Sequence, residues 1–273
     1  MAIRTILHML LDTPQAPAQL RLAKALAERF QARLVVLHVT PPALVPIGLA
    51  EGAVYLGPEL YEAHEAAAAI VTERLKQIYR DVCEPATVPT RWRHEKGDPG
   101  ALAVRLARGA DLTTSVLEAS SGLDALAPSL AEQLALGAGG PVLLAPPGWP
   151  DPALGRRVLV AWNGSREAAR AVHDALPFLT EAAAVTVASF GAEAPRELED
   201  VVTLLEGHGV RATPRAEADT ASVGGQLLGL AAALDCNLLV LGAYGRPRLR
   251  EIILGGVTRE ILQGAGLPVL LSS

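Results

Sequence analysis

Aromatic residues are scarce in this chain: they make up 4% of 273 residues, while half of the chain is hydrophobic. Burial must therefore rest on Ala, Leu and Val packed between helices and strands, a composition that suits α/β layers. Cysteine is scarcer still. Cys83 and Cys236 lie far apart with no CxxC or Cys/His spacing, which gives a zinc site or a disulfide framework no support and leaves reduced, structural thiols as the expectation. An excess of positive charge is also missing. Lys and Arg number 24 against 29 Asp and Glu, a formal charge of −5, so nothing draws the chain toward nucleic acid or anionic lipid. No apolar run reaches the roughly 20 residues of a membrane span; the most apolar later stretch, residues 223–241, is broken by Asp235 and Asn237. The N-terminal run 5–11 contains His8 and is closed by Asp12, so it reads as a first strand and not as a leader. The motifs GxSxG, GxxxxGK[ST] and HExxH are lacking, and the six histidines are scattered without a partner pattern, which removes the usual enzyme signatures. The expectation is a soluble cytoplasmic protein with no metal site and with neither nucleic acid nor membrane as partner.

What the chain does have is itself, twice. Leu134-Ala135-Leu136-Gly137-Ala138-Gly139-Gly140-Pro141-Val142-Leu143-Leu144 matches Ile261-Leu262-Gln263-Gly264-Ala265-Gly266-Leu267-Pro268-Val269-Leu270-Leu271. Each copy reads as a last helical turn, a glycine stop, a proline and a short buried strand. The beginnings match as well: residues 6–13 and 158–165 are each an apolar run entering a turn and a helix. Between these bookends the second half predicts strands at 157–162, 184–190, 210–217, 237–242 and 268–272, with helices at 165–179, 195–208, 220–234 and 256–264. The first half predicts strands near 3–10, 33–39, 87–94, 112–117 and 141–145. Continuous apolar strands such as Leu238-Leu239-Val240-Leu241 are those of a parallel sheet buried on both faces. The fold class is therefore α/β, with two doubly wound five-stranded parallel sheets in tandem. The expected units are 1–146 and 156–273, joined by the Pro-rich linker 147–155. The first half is longer by about 25 residues, which fall in the Pro-rich, apolar loop 41–58 and a long helix 59–82. Two repeats ending in the same apolar strand present similar edges that need covering, so the halves are expected to meet around residues 142–144 and 269–271 as a pseudo-twofold dimer.

The informative segment for chemistry is 242–258. Gly242, Gly245, Gly255 and Gly256 lie between a buried strand and a helix, where backbone amides approach an anion that a helix N-terminus also favours. Arg246, Arg248, Arg250 and Arg259 surround that loop and add positive charge. The same glycines also serve to end a strand, make a turn and start a helix, and spacing alone leaves both readings open. The spacing of glycine, two residues, glycine, nine residues, glycine resembles the ATP-binding loop of the universal stress protein family, with Gly242, Gly245 and Gly255 at its three glycines. Val257-Thr258, the terminal Pro268-Val269-Leu270-Leu271 and the run 158–165 resemble that family too. The resemblance spans residues 156–273 and, more weakly, 1–146.

The resemblance implies an adenine nucleotide, ATP or AMP, in the second half, with Ala161, Trp162 and Phe190 beside the base and the phosphates over Gly242, Gly245, Arg246, Gly255, Gly256, Val257 and Thr258. Two positions depart from the family pattern: its hydroxyl residue after the third glycine is Gly256 here, and its aspartate near the ribose is Asn163. Ser165 reads as the N-cap of the following helix, with Glu167 favouring the dipole. The first half offers Leu117-Glu118-Ala119-Ser120-Ser121-Gly122 at the matching place, acidic and nearly free of glycine, so this copy reads as a degenerate partner whose role is packing. Three functions remain open: a non-catalytic stress-response module that binds nucleotide in its second half, an interaction scaffold that has lost binding, and an ATP-hydrolysing enzyme. The protein partner and any homodimer of the whole chain are not identified by the sequence.

Overall fold

The computed structural model describes residues 2–43, 58–117, 128–151, 153–191, 194–218, 222–243 and 256–273. The first half runs β1 (Thr5–Met9), α1 (Ala16–Phe30), β2 (Arg33–Thr40), α2 (Pro58–Cys83), β3 (Thr90–Lys96), α3 (Pro99–Ala107), β4 (Leu112–Val116), α4 (Leu130–Gly137) and β5 (Val142–Ala145). The second half repeats it as β6 (Arg157–Ala161), α5 (Arg166–Leu179), β7 (Ala184–Phe190), α6 (Ala194–Gly207), β8 (Ala212–Glu217), α7 (Val223–Ala233), β9 (Leu238–Gly242), α8 (Gly256–Gly264) and β10 (Val269–Ser272). The strands, the long helix α2 and the four helices of the second half were expected from the sequence, with shifts at their ends. The third strand begins at Thr90 because Pro89 has no N–H to give to the ladder and instead accepts from Leu34 N. It continues to Lys96 because Thr40 of β2 is still there to pair with. Helix α7 starts at Val223, after Ser222, whose side chain accepts from Gly225 N as its cap.

The ten strands form one sheet in the order β3-β2-β1-β4-β5-β10-β9-β6-β7-β8. Within each half the ladders are parallel and the order is that of a doubly wound sheet. The seam between halves is antiparallel, with Val269 opposite Leu144, Leu270 opposite Leu143 and Leu271 opposite Val142. The two expected end strands thus cover each other, and the pseudo-twofold runs through that seam. Both strands are buried along their length, because helices cover both faces. Residues of α1, α2, α5 and α6 pack with one face, and residues of α3, α4, α7 and α8 with the other.

Helix α1 shows why the sequence folds this way. Its buried residues Ala16, Leu20, Ala23 and Ala27 recur at helical spacing, a proline sits in its first turn, and Gln31 ends it in the left-handed region at φ 51°. Where α1 ends, the halves are pinned together. Phe30 meets Phe178 of α5 edge to face at 5.1 Å. Arg29 lies against both rings, donates to Leu154 O at 2.5 Å and pairs with Glu181 at 2.8 Å. Asn237, at the start of β9, accepts from Gly155 N and Arg157 N and donates to Asp151 Oδ2 and Ala153 O, fixing the connection between the halves.

Candidate functional site

The carboxyl ends of β6 and β9, neighbouring parallel strands, are where the winding of the second half reverses: the chain leaves β6 through α5 on one face and reaches β10 through α8 on the other. A crevice opens at such a point. Beyond β6 the chain makes a tight polar turn. Asn163 is exposed, and its Oδ1 accepts from Ser165 N at 3.2 Å and from Ser165 Oγ at 2.7 Å. Gly164 supplies the left-handed φ of 66° that the turn requires. Ser165 Oγ in turn accepts from Ala168 N at 3.2 Å, the N-cap that the sequence predicts. Glu167, in the first turn of α5, is held below the ordinary carboxylate range by its own backbone N–H and by Arg166. With Oδ1 committed to Ser165, the amide N–H groups of Asn163 have no partner among the described residues.

Gly242, the last residue of β9, has a packing duty. A Cβ there would lie 2.5 Å from Ala168 N and 2.5 Å from the Glu167 carbonyl carbon, so the first turn of α5 rests directly on the strand end. Glycine is what permits that approach. The first turn of α8 is different: Gly256 is exposed, a Cβ on it would meet nothing within 4 Å, Val257 is partly open and Thr258 is buried. That turn carries no acidic residue, and Arg259 within it is exposed. Gly245, Arg246 and Gly255, with Arg248 and Arg250, lie outside the described residues.

The three residues expected beside a base do not share a face. Ala161 and Phe190, at the ends of β6 and β7, pack with the side covered by α7 and α8, whereas Trp162 packs with the α5 and α6 side. Trp162 N donates to Ala188 O, while its indole Nε1 is buried and has no partner among the described residues. Two contacts near the crevice carry no local sequence signal. Ser222 Oγ donates to Glu260 Oε2 at 2.8 Å, and Gly224 lies so close to Glu260 that a Cβ would be 2.5 Å from its carboxylate. Through them α7 and α8 are locked side by side.

In the first half the corresponding helix start is closed. Ser129 Oγ accepts from Glu132 N, and Glu132 Oε2 accepts from Ser129 N at 2.6 Å, a reciprocal cap at the N-terminus of α4. The carboxylate of Glu132 thereby occupies the place at which an anion would bind. The loop residues 118–127 lie outside the described residues, as do residues 44–57 of the apolar loop. Burial pushes the Cys83 thiol up to about 11 and raises Cys236 as well, and the two cysteines are not bonded to each other. Among the described residues no helix is long and apolar enough to cross a membrane, and no three His, Cys, Asp or Glu side chains converge as metal ligands do.

Two doubly wound sheets of order 3-2-1-4-5, joined at their last strands, with a small-residue helix start at one switch point, define a tandem protein on a nucleotide-binding type of fold. The chain belongs to the universal stress protein family, whose pattern matches residues 2–146 and again 155–272. A universal stress protein from Archaeoglobus fulgidus has a similar structure, with a TM-score of 0.76 at 16% identity over 98% of this chain and 95% of that one. So does a universal stress protein from Pseudomonas aeruginosa UCBPP-PA14, with a TM-score of 0.62 at 19% identity over 99% and 93%. A protein from Pseudomonas aeruginosa PAO1, described as functionally unknown, gives 0.64 at 18% identity over 99% and 92%. At these identities the likeness speaks to fold alone. No curated protein matches the chain.

Proposed function

We propose that the chain is a cytoplasmic, non-catalytic stress-response module that binds an adenine nucleotide, ATP or AMP, in its second half and reports occupancy to a protein partner. On this reading 1–146 is a packing copy, 147–155 the connection and 156–273 the binding copy. The observation that carries it is the first turn of α8 at the β6/β9 switch point: beginning in glycine and, among the described residues, open and free of acidic side chains, it is suited to a phosphate group. Asn163, whose amide N–H groups have no partner among the described residues, would face the ribose, and Ala161 with Phe190 would flank the base. The phosphates would extend over Gly245, Arg246 and Gly255 to Gly256, Val257 and Thr258.

Glu167 and Glu260, two acids near these strand ends, are occupied by Arg166 and Ser222 respectively. This favours binding over turnover, and a turnover assay with ATP tests it. A second reading, the scaffold without ligand, draws on Gly242 and Asn163, because both already serve the packing and capping of α5.

Calorimetric titration separates the two. The binding reading expects heat with ATP or AMP, affinity raised a few-fold to tenfold in Gly256→Ser by one added hydroxyl bond of about 1 kcal/mol, and loss in Gly245→Val. Silence of the folded wild type and of Gly256→Ser at millimolar nucleotide leaves the scaffold.

A further inference from the structure

Helix α2 has 26 residues against 15 in α1, and its two ends are held differently. From Leu75 onward it is a core helix: Leu75 and Cys83 are buried, and Ile78, Tyr79 and Val82 pack against the core. From residue 59 to residue 74 no side chain is buried, and Leu60, Tyr61 and Ile70 are more than half exposed. Among the described residues, Val71 packs against the core and a row of polar contacts to the strand ends ties the rest of this leading part down. His64 Nε2 is 3.2 Å from Pro41 O, Glu65 pairs with Lys96 at the end of β3, and Arg74 pairs with Asp12 beyond β1. Thr72 Oγ1 is 3.4 Å from Thr40 Oγ1, which is 2.9 Å from His94 Nε2.

Beneath that last link two imidazoles are stacked, His38 on His94, 5.4 Å apart with planes 12° from parallel. Trp92 closes the other side of His38 at 6.1 Å, and His38 Nε2 is buried with no partner among the described residues. Around the pair stand Asp12 and the Leu10 backbone from the β1 side, Glu95 and Lys96 from β3, and His64, Glu65 and Arg74 from α2. His38 is buried whereas His94 is exposed, and a proton on either ring places a cation against the other.

We propose that the leading part of α2, residues 58–74, is an acid-released arm, docked on the ends of β2 and β3 at neutral pH and detached in mild acid when His38, His94 and Glu65 take up protons. Burial, then the adjacent imidazole, holds His38 below the ordinary value; burial, then Lys96, does the same to His94; and the hydrogen bond from Lys96 holds Glu65 low. The burial that the arm supplies and the Lys96 bond to Glu65 go when the arm lifts, while the charges on β2 and β3 stay, so the three groups bind protons more readily with the arm off. Docking is thus complete above the ordinary imidazole value of 6.5 and weakens as pH falls, with Glu65 adding its share below 4.5. Release bares the ends of β2 and β3 while the core part of α2 stays in place.

Amide hydrogen exchange read by mass spectrometry, corrected for intrinsic rates, tests this on the full chain. Between about pH 7.5 and about pH 4, protection of the peptides covering 59–72 should fall about tenfold more than that of β6 and β9. His94→Gln keeps a partner for Thr40 but does not titrate, and should reduce that differential to about threefold or less. Glu65→Gln, at a surface position that tolerates change, should lower protection of the arm at neutral pH and shrink the acid step. An arm that loses no more protection than β6, a loss shared by every strand at once, or a full differential retained in both Gln variants would overturn the proposal.

Discussion

Val116 ends β4 and Gly242 ends β9, at matching places in the two copies, and the choice of residue decides what each copy does with its switch point. In the second half the glycine lets α5 settle onto the strand, Asn163 and Ser165 form the polar turn beside it, and α8 starts open. In the first half the same places hold Val116 and Leu11, and α4 starts with its own carboxylate folded back on it. The β1 strand carries buried His8 where β6 carries Val160. One backbone topology thus supports two outcomes: space kept at the strand ends, or space filled by side chains. The repeat preserves the ladders and the seam, while the residues just past the strands are free to diverge because they contribute little to the common core.

The seam offers the strongest way to break the comparison, since it decides whether the halves are independent. Phe178 is fully buried between α1, the connection and its own half. Phe178→Ala should cost about 3–5 kcal/mol in denaturant unfolding, and a cost below about 1 kcal/mol would show that the halves do not lean on each other there.

His8 tests whether one copy is more sensitive to acid. Its ring lies within the sheet, with Nδ1 2.9 Å from Thr114 Oγ1, and burial lowers it from 6.5 to about 4. A folded value below the unfolded one means stability present above pH 6.5 and lost as pH falls toward 4, in total about 3 kcal/mol. His8→Val, which copies Val160, should flatten that part of the pH–stability curve, whereas an unchanged slope would assign the acid loss elsewhere. Unlike arm release, this effect should weaken the fold as a whole.

Exchanging the strand ends comes next. Gly242→Val copies the first half but drives a branched side chain into the backbone of α5, so a loss of about 1–3 kcal/mol is expected. If stability is unchanged in thermal and denaturant unfolding, α5 does not need the glycine. The smallest effect concerns the helix starts. Ser129→Ala removes the reciprocal cap of α4 and should cost about 1 kcal/mol. The same variant releases Glu132 from its task, and an increase in stability would mean that the cap is strained.

The strands, the helices and the duplication were legible because they rest on periodicity and on short runs that repeat. The meeting of the two end strands was legible for a related reason, because similar apolar end strands leave each half one uncovered edge, but their antiparallel pairing into one ten-stranded sheet came from the structure. The candidate site was legible only as a segment, Gly242 to Thr258, with Ala161, Trp162, Asn163 and Phe190 attached to it by resemblance. Sequence could not say that Trp162 turns away from Ala161 and Phe190, although the alternation of side chains along a strand makes neighbours face opposite sides. The cap at Ser165 was readable because its partner is three residues away. The contacts of Glu260 with Ser222, of Asn237 with the connection and of Arg29 with Phe178 leave no such trace.

By itself, the sequence determined the layers and their order, since apolar spacing and glycine or proline stops act over a few residues and need no knowledge of neighbours. It also set the two loops apart, because residues 117–122 are acidic and nearly free of glycine where the second copy has Gly242, Gly245 and Gly255. Only the tertiary structure decided that Gly242 is held by the backbone of α5, that His38 and His94 stack across β2 and β3, and that the leading half of α2 is fastened by polar contacts and Val71 among the described residues. Those facts depend on residues tens of positions apart meeting at one strand end, and burial and pairing there are set by the packing of whole elements, which no local pattern encodes.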